Sequence, residues 1–294
     1  MSEKYVVRRG ETSDGDFELV VTPESAGWGY SSLRVLELAP GGTAEFDTGP
    51  DEMVLLPLSG GATVSCDGEK FELTGRGSVF SRVTDFAYLP MSSRAQVSSV
   101  DGGRFALPAA RATRRLPARY GPAEGVGVEL RGAGQASRQV NNFCTPETFE
   151  ADKLIAVEVL TPAGNWSSYP PHKHDQARDG EAELEEIYYF EVGSGPAGEG
   201  IGYQRVYGSG PGREIDVCTE VRGGDTVLIP HGWHGPSMAA PGYPLYYLNV
   251  MAGPSPDRAW LICDDPAHGW VRDTWAGQAL DSRLPLTSTS ELPT

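Results

Sequence analysis

The sequence predicts an all-β protein built as two tandem antiparallel barrels, with few short helices. Three observations carry this reading. Apolar runs are short and stop at Gly/Pro clusters. No helical period of useful length appears in the first half. One pattern of strands and turns occurs twice along the 294 residues, a length that accommodates two domains. Composition agrees. The chain is 39% hydrophobic and 22% charged, and Gly 37 with Pro 23 favours turns and short strands over long helices.

The elements follow in order. Leu33 to Leu38 is a strand ended by Pro40-Gly41-Gly42, and Met53 to Leu58 a strand ended by Ser59-Gly60-Gly61. Ala62 to Cys66 and Lys70 to Leu73 flank Asp67-Gly68, a hairpin turn signal. Ser78 to Phe80 and Ala87 to Leu89 read as further strands. Residues 104–135, with Arg104, Arg111, Arg114, Arg115, Arg119 and Arg131 among Ala, Pro and Gly, read as an exposed connection holding a strand or two. Asn141 to Asp152 reads as a short helix capped by Thr145, with Pro146 at its first position. Then the pattern returns. Leu154 to Leu160 is ended by Thr161-Pro162-Ala163-Gly164. Glu185-Glu186-Ile187-Tyr188-Tyr189-Phe190 echoes Asp51-Glu52-Met53-Val54-Leu55-Leu56, and the run from Gly223 to Pro230 echoes Gly75 to Phe80. The division is therefore residues 1–125, a barrel without a metal site, and residues 126–294, a barrel with one and a Ser/Thr/Pro-rich tail from Leu284 expected to be mobile.

Bulk chemistry excludes several roles. A net charge of −16 repels phosphate backbones, so no nucleic acid partner is expected. No apolar stretch approaches the ~18 residues of a membrane helix, and no signal peptide is visible at Met1-Ser2-Glu3-Lys4. The 4 cysteines are scattered without CxxC spacing, as expected of reduced structural thiols in a cytoplasmic protein.

The histidines concentrate the chemistry. All 5 lie from His172 onward. His172 and His174 sit at i and i+2, which in a strand aims both imidazoles at one point. Glu185-Glu186 follows, then His231 and His234. A carboxylate and a third histidine complete a nitrogen and oxygen ligand set that suits Zn, Mn, Fe or Ni. His234 is preferred to His231 because it lies beyond the Pro-Gly turn, where the next strand re-enters. Glu185 and Glu186 face opposite ways in a strand, so only one can be a ligand. No dinucleotide or phosphate-loop motif is present, and no nucleotide cofactor is expected.

The order of these residues resembles the cupin pattern, on a double-stranded β-helix related to the jelly roll. Gly164, His172, His174 and a carboxylate match its first motif, and Gly224, Pro230, Gly232, His234 and Asn249 its second. The chain departs from it twice. The gap after His174 holds Arg178-Asp179-Gly180-Glu181, and His234 comes one residue early. More specifically, Tyr169 to Asp175, Glu185 to Phe190, Gly202 to Tyr207, Pro230 to Gly235, Asn249 to Gly253 and Trp260 to Trp270 resemble the bicupin uronate isomerases, the family of 5-deoxy-glucuronate isomerase of inositol catabolism. Trp28-Gly29-Tyr30 extends the likeness to the first half.

The resemblance implies a metal held by His172, His174, Glu186 and His234. It also implies an aldose–ketose isomerisation of 5-deoxy-D-glucuronate to 5-dehydro-2-deoxy-D-gluconate. Such a reaction needs carbonyl polarisation and a base that moves a proton between adjacent carbons. His231 is the favoured base, with Asp264 and Tyr203 as rivals. Strand alternation points Lys173 away from its neighbouring ligands. The substrate carboxylate calls for a guanidinium. Arg205 is one candidate, sharing a strand face with Tyr203 and Tyr207, and Arg138 is the other. Tyr188 should share the inward face of Glu186. Trp260, Trp270 and His268 read as structural. The expected partner is a small anionic sugar acid, with no membrane, and a homo-oligomer is left open. The competing readings are an Fe(II) or Mn cupin dioxygenase and a non-enzymatic sugar-binding bicupin.

Overall fold

The computed structural model describes residues 3–290 and is an all-β bicupin. Among the described residues, the one α-helix spans four residues, Pro23–Ala26, and the other helical pieces are 3-10 turns. In the first half, Phe86–Leu89, Asp51–Cys66, Gly103–Arg111, Ser31–Leu38 and Phe17–Val21 lie side by side. In the second half the same order is filled by Thr226–Ile229, Glu185–Val192, Leu245–Ala252, Ile155–Thr161 and Arg138–Cys144. All these pairings are antiparallel.

Period-2 alternation sorts the side chains into separate cores. Met53 and Leu55 fill the interior of the first barrel, while Val54 and Leu56 point the other way. Tyr188 and Phe190 face the interior of the second barrel, while Ile187 and Tyr189 meet Val54 and Leu56 in a shared core between the two sheets. Strands buried on both faces explain why these runs are apolar throughout rather than alternating.

The repeat has a different register from the one the sequence suggests. Glu52 accepts the backbone N–H groups of Asp152, Lys153 and Leu154 at 2.8, 2.5 and 2.7 Å, at the entry to the second barrel. Glu185 accepts those of Gly29, Tyr30 and Ser31 at 2.7, 2.8 and 2.9 Å, at the entry to the first. Each barrel thus clamps the start of the other through one carboxylate. This makes Glu52 the counterpart of Glu185, and Met53 the counterpart of Glu186. The counterpart of Thr226–Ile229 is Phe86–Leu89, not Ser78 to Phe80, which forms a bend and turn.

Other expectations are corrected as well. The strand from Asp51 does not stop at Gly60-Gly61 but runs to Cys66, leaving one sheet for the facing one. Gly60 makes that bend at φ +80, and a Cβ there would lie 2.3 Å from the Gly102 carbonyl oxygen. Residues 104–111 are no exposed connection, because Phe105 to Ala110 are buried in a central strand. Asn141 to Asp152 holds the end of a strand and a single turn closed by Phe149 N–H on the Thr145 carbonyl, not a helix. The tail is pinned as far as it is described. Gln139 Oε1 accepts Leu286 and Thr287 N–H, and Val83 N–H donates to Ser288. Residues 291–294 lie outside the described residues. The chain's start also crosses over, as Val6–Val7 pairs with Val227 and Thr226 of the second barrel.

Candidate functional site

The strand Glu185–Val192 sends Glu186 into the second barrel, and the strand Trp233–Ala239 brings His234 from the facing sheet. His174 Nε2 lies 3.0 Å from Glu186 Oε2, and so does His234 Nε2. The ligand-type atoms of His174, Glu186 and His234 all lie within 4.8 Å of one another, and all three residues are buried. His172 stands opposite His234 in the sheet, with ring centroids 4.5 Å apart. Asn249 donates its amide to Glu186 Oε1, fixing the carboxylate from behind. His174 Nδ1 faces the Leu184 carbonyl at 3.1 Å, and His234 Nδ1 that of Gly232 at 3.2 Å, which leaves each Nε2 aimed at the cluster.

Burial would raise the Glu186 pKa, but His234 and His174 beside it hold the carboxyl below its usual range. Burial pushes His172 well down, helped by His234. Burial would lower His174 too, but its bond to Glu186 raises it. His234 Nε2 is close to Glu186 yet lacks hydrogen-bond geometry, so a buried ring nitrogen is left without a hydrogen-bond partner among the described residues. Three imidazoles around one carboxylate are the nitrogen and oxygen donor set a divalent transition metal takes. The residues fit such an ion.

The cluster opens on a cavity of about 680 Å³. Glu186, His172, Tyr188 and Asn249 line one end, and Arg138 lines it with Val140, Val157 and Val159. Tyr188 and Tyr247 stack at 4.9 Å, and both hydroxyls meet Ser168 Oγ at 3.0 Å. Arg138 is buried, with its guanidinium 5.7 Å from the Trp275 ring. Its side chain donates to the Ala136 carbonyl at 3.0 Å, and among the described residues no carboxylate lies within ion-pair distance. Burial pushes its pKa down to about 10, which still leaves it charged at neutral pH. Gly132 makes room for it, since a Cβ there would sit 2.8 Å from Arg138 Nη1.

Several expected residues fall elsewhere. Arg205 does not line the cavity; it is tied to Asp216 and to the Val206 and Val217 carbonyls. Tyr203 is 36% exposed, and Tyr207 bonds to Asp265. The inward residues of that strand are Gln204 and Val206, so the aromatic alternation marks its outer face. His231 is absent from both the metal-type cluster and the cavity lining, and it faces Arg213, Asp175 and Glu214. Burial lowers its pKa. Lys173 points away from the histidines, as alternation requires, to Asp175 and Glu181 at 2.6 Å each. Asp264 lines the cavity opposite His172 but is held by Arg272. Trp260, read as packing, also lines it. Sequence reasoning missed Ser168 and Tyr247. Tyr247 was detectable, because Tyr247, Asn249 and Met251 alternate on one strand.

Residues 5–271 match the KduI/IolB family. The chain belongs to the KduI/IolB family. Relatives within it include a 5-deoxy-glucuronate isomerase of Geobacillus kaustophilus, 44% identical over 257 residues, covering 86% of this chain and 90% of that protein. The 5-deoxy-glucuronate isomerase of Bacillus subtilis strain 168 is 38% identical, covering 85% and 91%. An IolB-like protein from Salmonella typhimurium LT2 superimposes with a TM-score of 0.83 at 34% identity, covering 91% of this chain and 98% of that one. Oxalate decarboxylase of Lactobacillus farciminis shares the fold at TM-score 0.59 and 13% identity, with 88% of each chain covered. As a KduI/IolB protein with these relatives, the chain is an enzyme of the isomerase class. Among the described residues, no helix is long and apolar enough to cross a membrane.

Proposed function

We propose that the protein is a metal-dependent aldose–ketose isomerase that converts 5-deoxy-D-glucuronate to 5-dehydro-2-deoxy-D-gluconate in inositol catabolism. The observation that carries this reading is a metal-type cluster and a guanidinium without an ion-pair partner among the described residues, both facing one cavity. The first suits a carbonyl and its neighbouring hydroxyl, the second a carboxylate, and a uronate bears both. The names of the curated relatives support the substrate.

His172, His174, Glu186 and His234 would hold the ion. A divalent metal bound there would supply carbonyl polarisation and offset negative charge developing on the sugar oxygens. The chain's own residues do the rest. Arg138 binds the carboxylate through its planar guanidinium, orienting the sugar along the cavity. Asn249 keeps Glu186 turned toward the histidines. The Tyr188 and Tyr247 hydroxyls, kept neutral by burial, offer hydrogen bonds to the sugar's own hydroxyls. Of the carboxylates beside the cavity, Asp264 stands opposite His172 in the sheet register. Although paired with Arg272, it is the candidate base on the cavity wall, whereas His231 faces away.

The test is direct. Purified protein is given 5-deoxy-D-glucuronate with and without a chelator, and ketone formation is followed. Turnover that the chelator abolishes and an added divalent metal restores is expected. A metal-loaded protein that leaves the sugar unchanged would overturn the reading.

A further inference from the structure

The wall between the two ends of the cavity is chemically uneven. Arg138 and Val140 lie two apart on one strand, so both face inward. Val140 stands directly opposite Val159 in the neighbouring strand, and Val157 continues the row. All three valines line the cavity and are buried, at 2%, 6% and 0% exposure. Two tyrosine hydroxyls share the same wall and are already engaged. Tyr247 stands opposite Val159, and its hydroxyl is directed to Ser168. Tyr188 stands opposite Asn249, near Glu186.

A six-carbon acid with its carboxylate on Arg138 therefore sets its next carbon over Val140 and Val159. Neither valine can donate or accept a hydrogen bond. A hydroxyl on that carbon would lose water over two side chains that offer no partner, beside a Tyr247 hydroxyl already directed to Ser168. A methylene there loses nothing.

We propose that the Val140–Val159 pair is the specificity determinant of this enzyme, reading the absence of a hydroxyl on the carbon next to the carboxylate. This rests on the isomerase reading above and extends it. The site selects 5-deoxyuronates from uronates that keep the 5-hydroxyl. The physics limits the selection. An apolar pocket rejects an added hydroxyl by about 10²-fold at most, because water and small shifts soften the loss. Discrimination of about 10- to 100-fold in kcat/KM is the expected scale.

The experiment compares 5-deoxy-D-glucuronate with D-glucuronate as substrates of the metal-loaded wild type, Val140→Thr and Val159→Thr. Threonine nearly keeps the shape of valine and adds one hydroxyl that can pair with the substrate's. The ring equilibrium of each sugar in solution is common to all three proteins, so it cancels when their ratios are compared. The wild type should prefer the deoxy sugar after correction for open-chain content, and at least one threonine variant should narrow the preference about tenfold. Folded Val140→Thr and Val159→Thr proteins that both keep the wild-type preference would overturn the proposal, as would a wild type that uses both sugars alike. The wild-type comparison needs no variant, so it can overturn the proposal even if neither variant folds. Failure of the wild type to convert 5-deoxy-D-glucuronate would instead strike the isomerase reading, which separates the two failures.

Discussion

At the scale of single residues, the metal-type cluster was legible because the relevant geometry is local. His-x-His in a strand, a carboxylate at a strand start and a histidine after Pro-x-Gly each report their own orientation. What could not be read was which residues distant strands bring to the same cavity. Arg205 and Tyr203 alternate as an inward face should, yet that face is outward, because Gln204 and Val206 occupy the interior. Period-2 spacing identifies two faces but does not say which is inside. Two predictions belong here. Glu186→Gln and His234→Ala should each empty the site of transition metal, measured as bound metal per chain, while His231→Ala should retain it. Metal loss from the His231 variant alone would reverse the assignment. Arg138→Met should raise KM by roughly 10- to 100-fold, the loss of a charge-assisted pair worth about 1.5–3 kcal/mol. Bound metal should stay unchanged. A KM equal to that of the wild type would remove Arg138 from the carboxylate site.

At the scale of elements, most strands were visible in the sequence, but the register of the repeat was not. The adjacent acids Glu185 and Glu186 look interchangeable, and the tertiary structure separates them. One turns inward to the histidines, and the other reaches out to three amides of the first barrel. Glu185→Ala leaves those amides without their acceptor. The expected loss is about 2–4 kcal/mol of stability, since hydrogen bonds to charged groups contribute roughly 1.5–3 kcal/mol and the effects do not add. Chemical denaturation measures it, and metal content should be unaffected because Glu185 does not face the cluster. Unchanged stability would mean that the clamp contributes nothing. Asp152 adds an acid-sensitive tie of the same kind. Burial would raise its pKa, but Arg114 and the Thr113 and Arg114 amides bring it down to about 2. A carboxyl depressed on folding stabilises above its unfolded value of about 3.9 and loses that contribution as pH falls toward 2. Asp152→Asn should flatten the stability profile over that window.

At the scale of the whole molecule, the two barrels share one apolar core, to which Val54 and Leu56 come from the first and Ile187 and Leu248 from the second. A buried ion pair crosses that core. Arg76 of the first barrel meets Glu158 of the second, at 0% and 1% side-chain exposure. Glu158 also accepts from Tyr246 at 2.9 Å and Asn141 at 3.1 Å, and Arg76 donates to the Pro57 carbonyl at 2.8 Å. Neither charge has access to water, so each depends on the other half of the chain. Removing one partner of such a pair costs about 3–5 kcal/mol, whereas replacing both with apolar groups can be nearly neutral. Arg76→Met should therefore destabilise strongly, and Arg76→Met with Glu158→Leu should recover about 0.5–3 kcal/mol relative to the sum of the single changes. The shared core also makes the wild type unfold in one calorimetric transition, because neither barrel can lose its partner without exposing that core. The Arg76→Met protein leaves an uncompensated carboxylate at the interface and should separate the melting of the two halves. Additive single and double changes, or two resolved transitions in the wild type, would show that the halves are joined by sequence but not by this core.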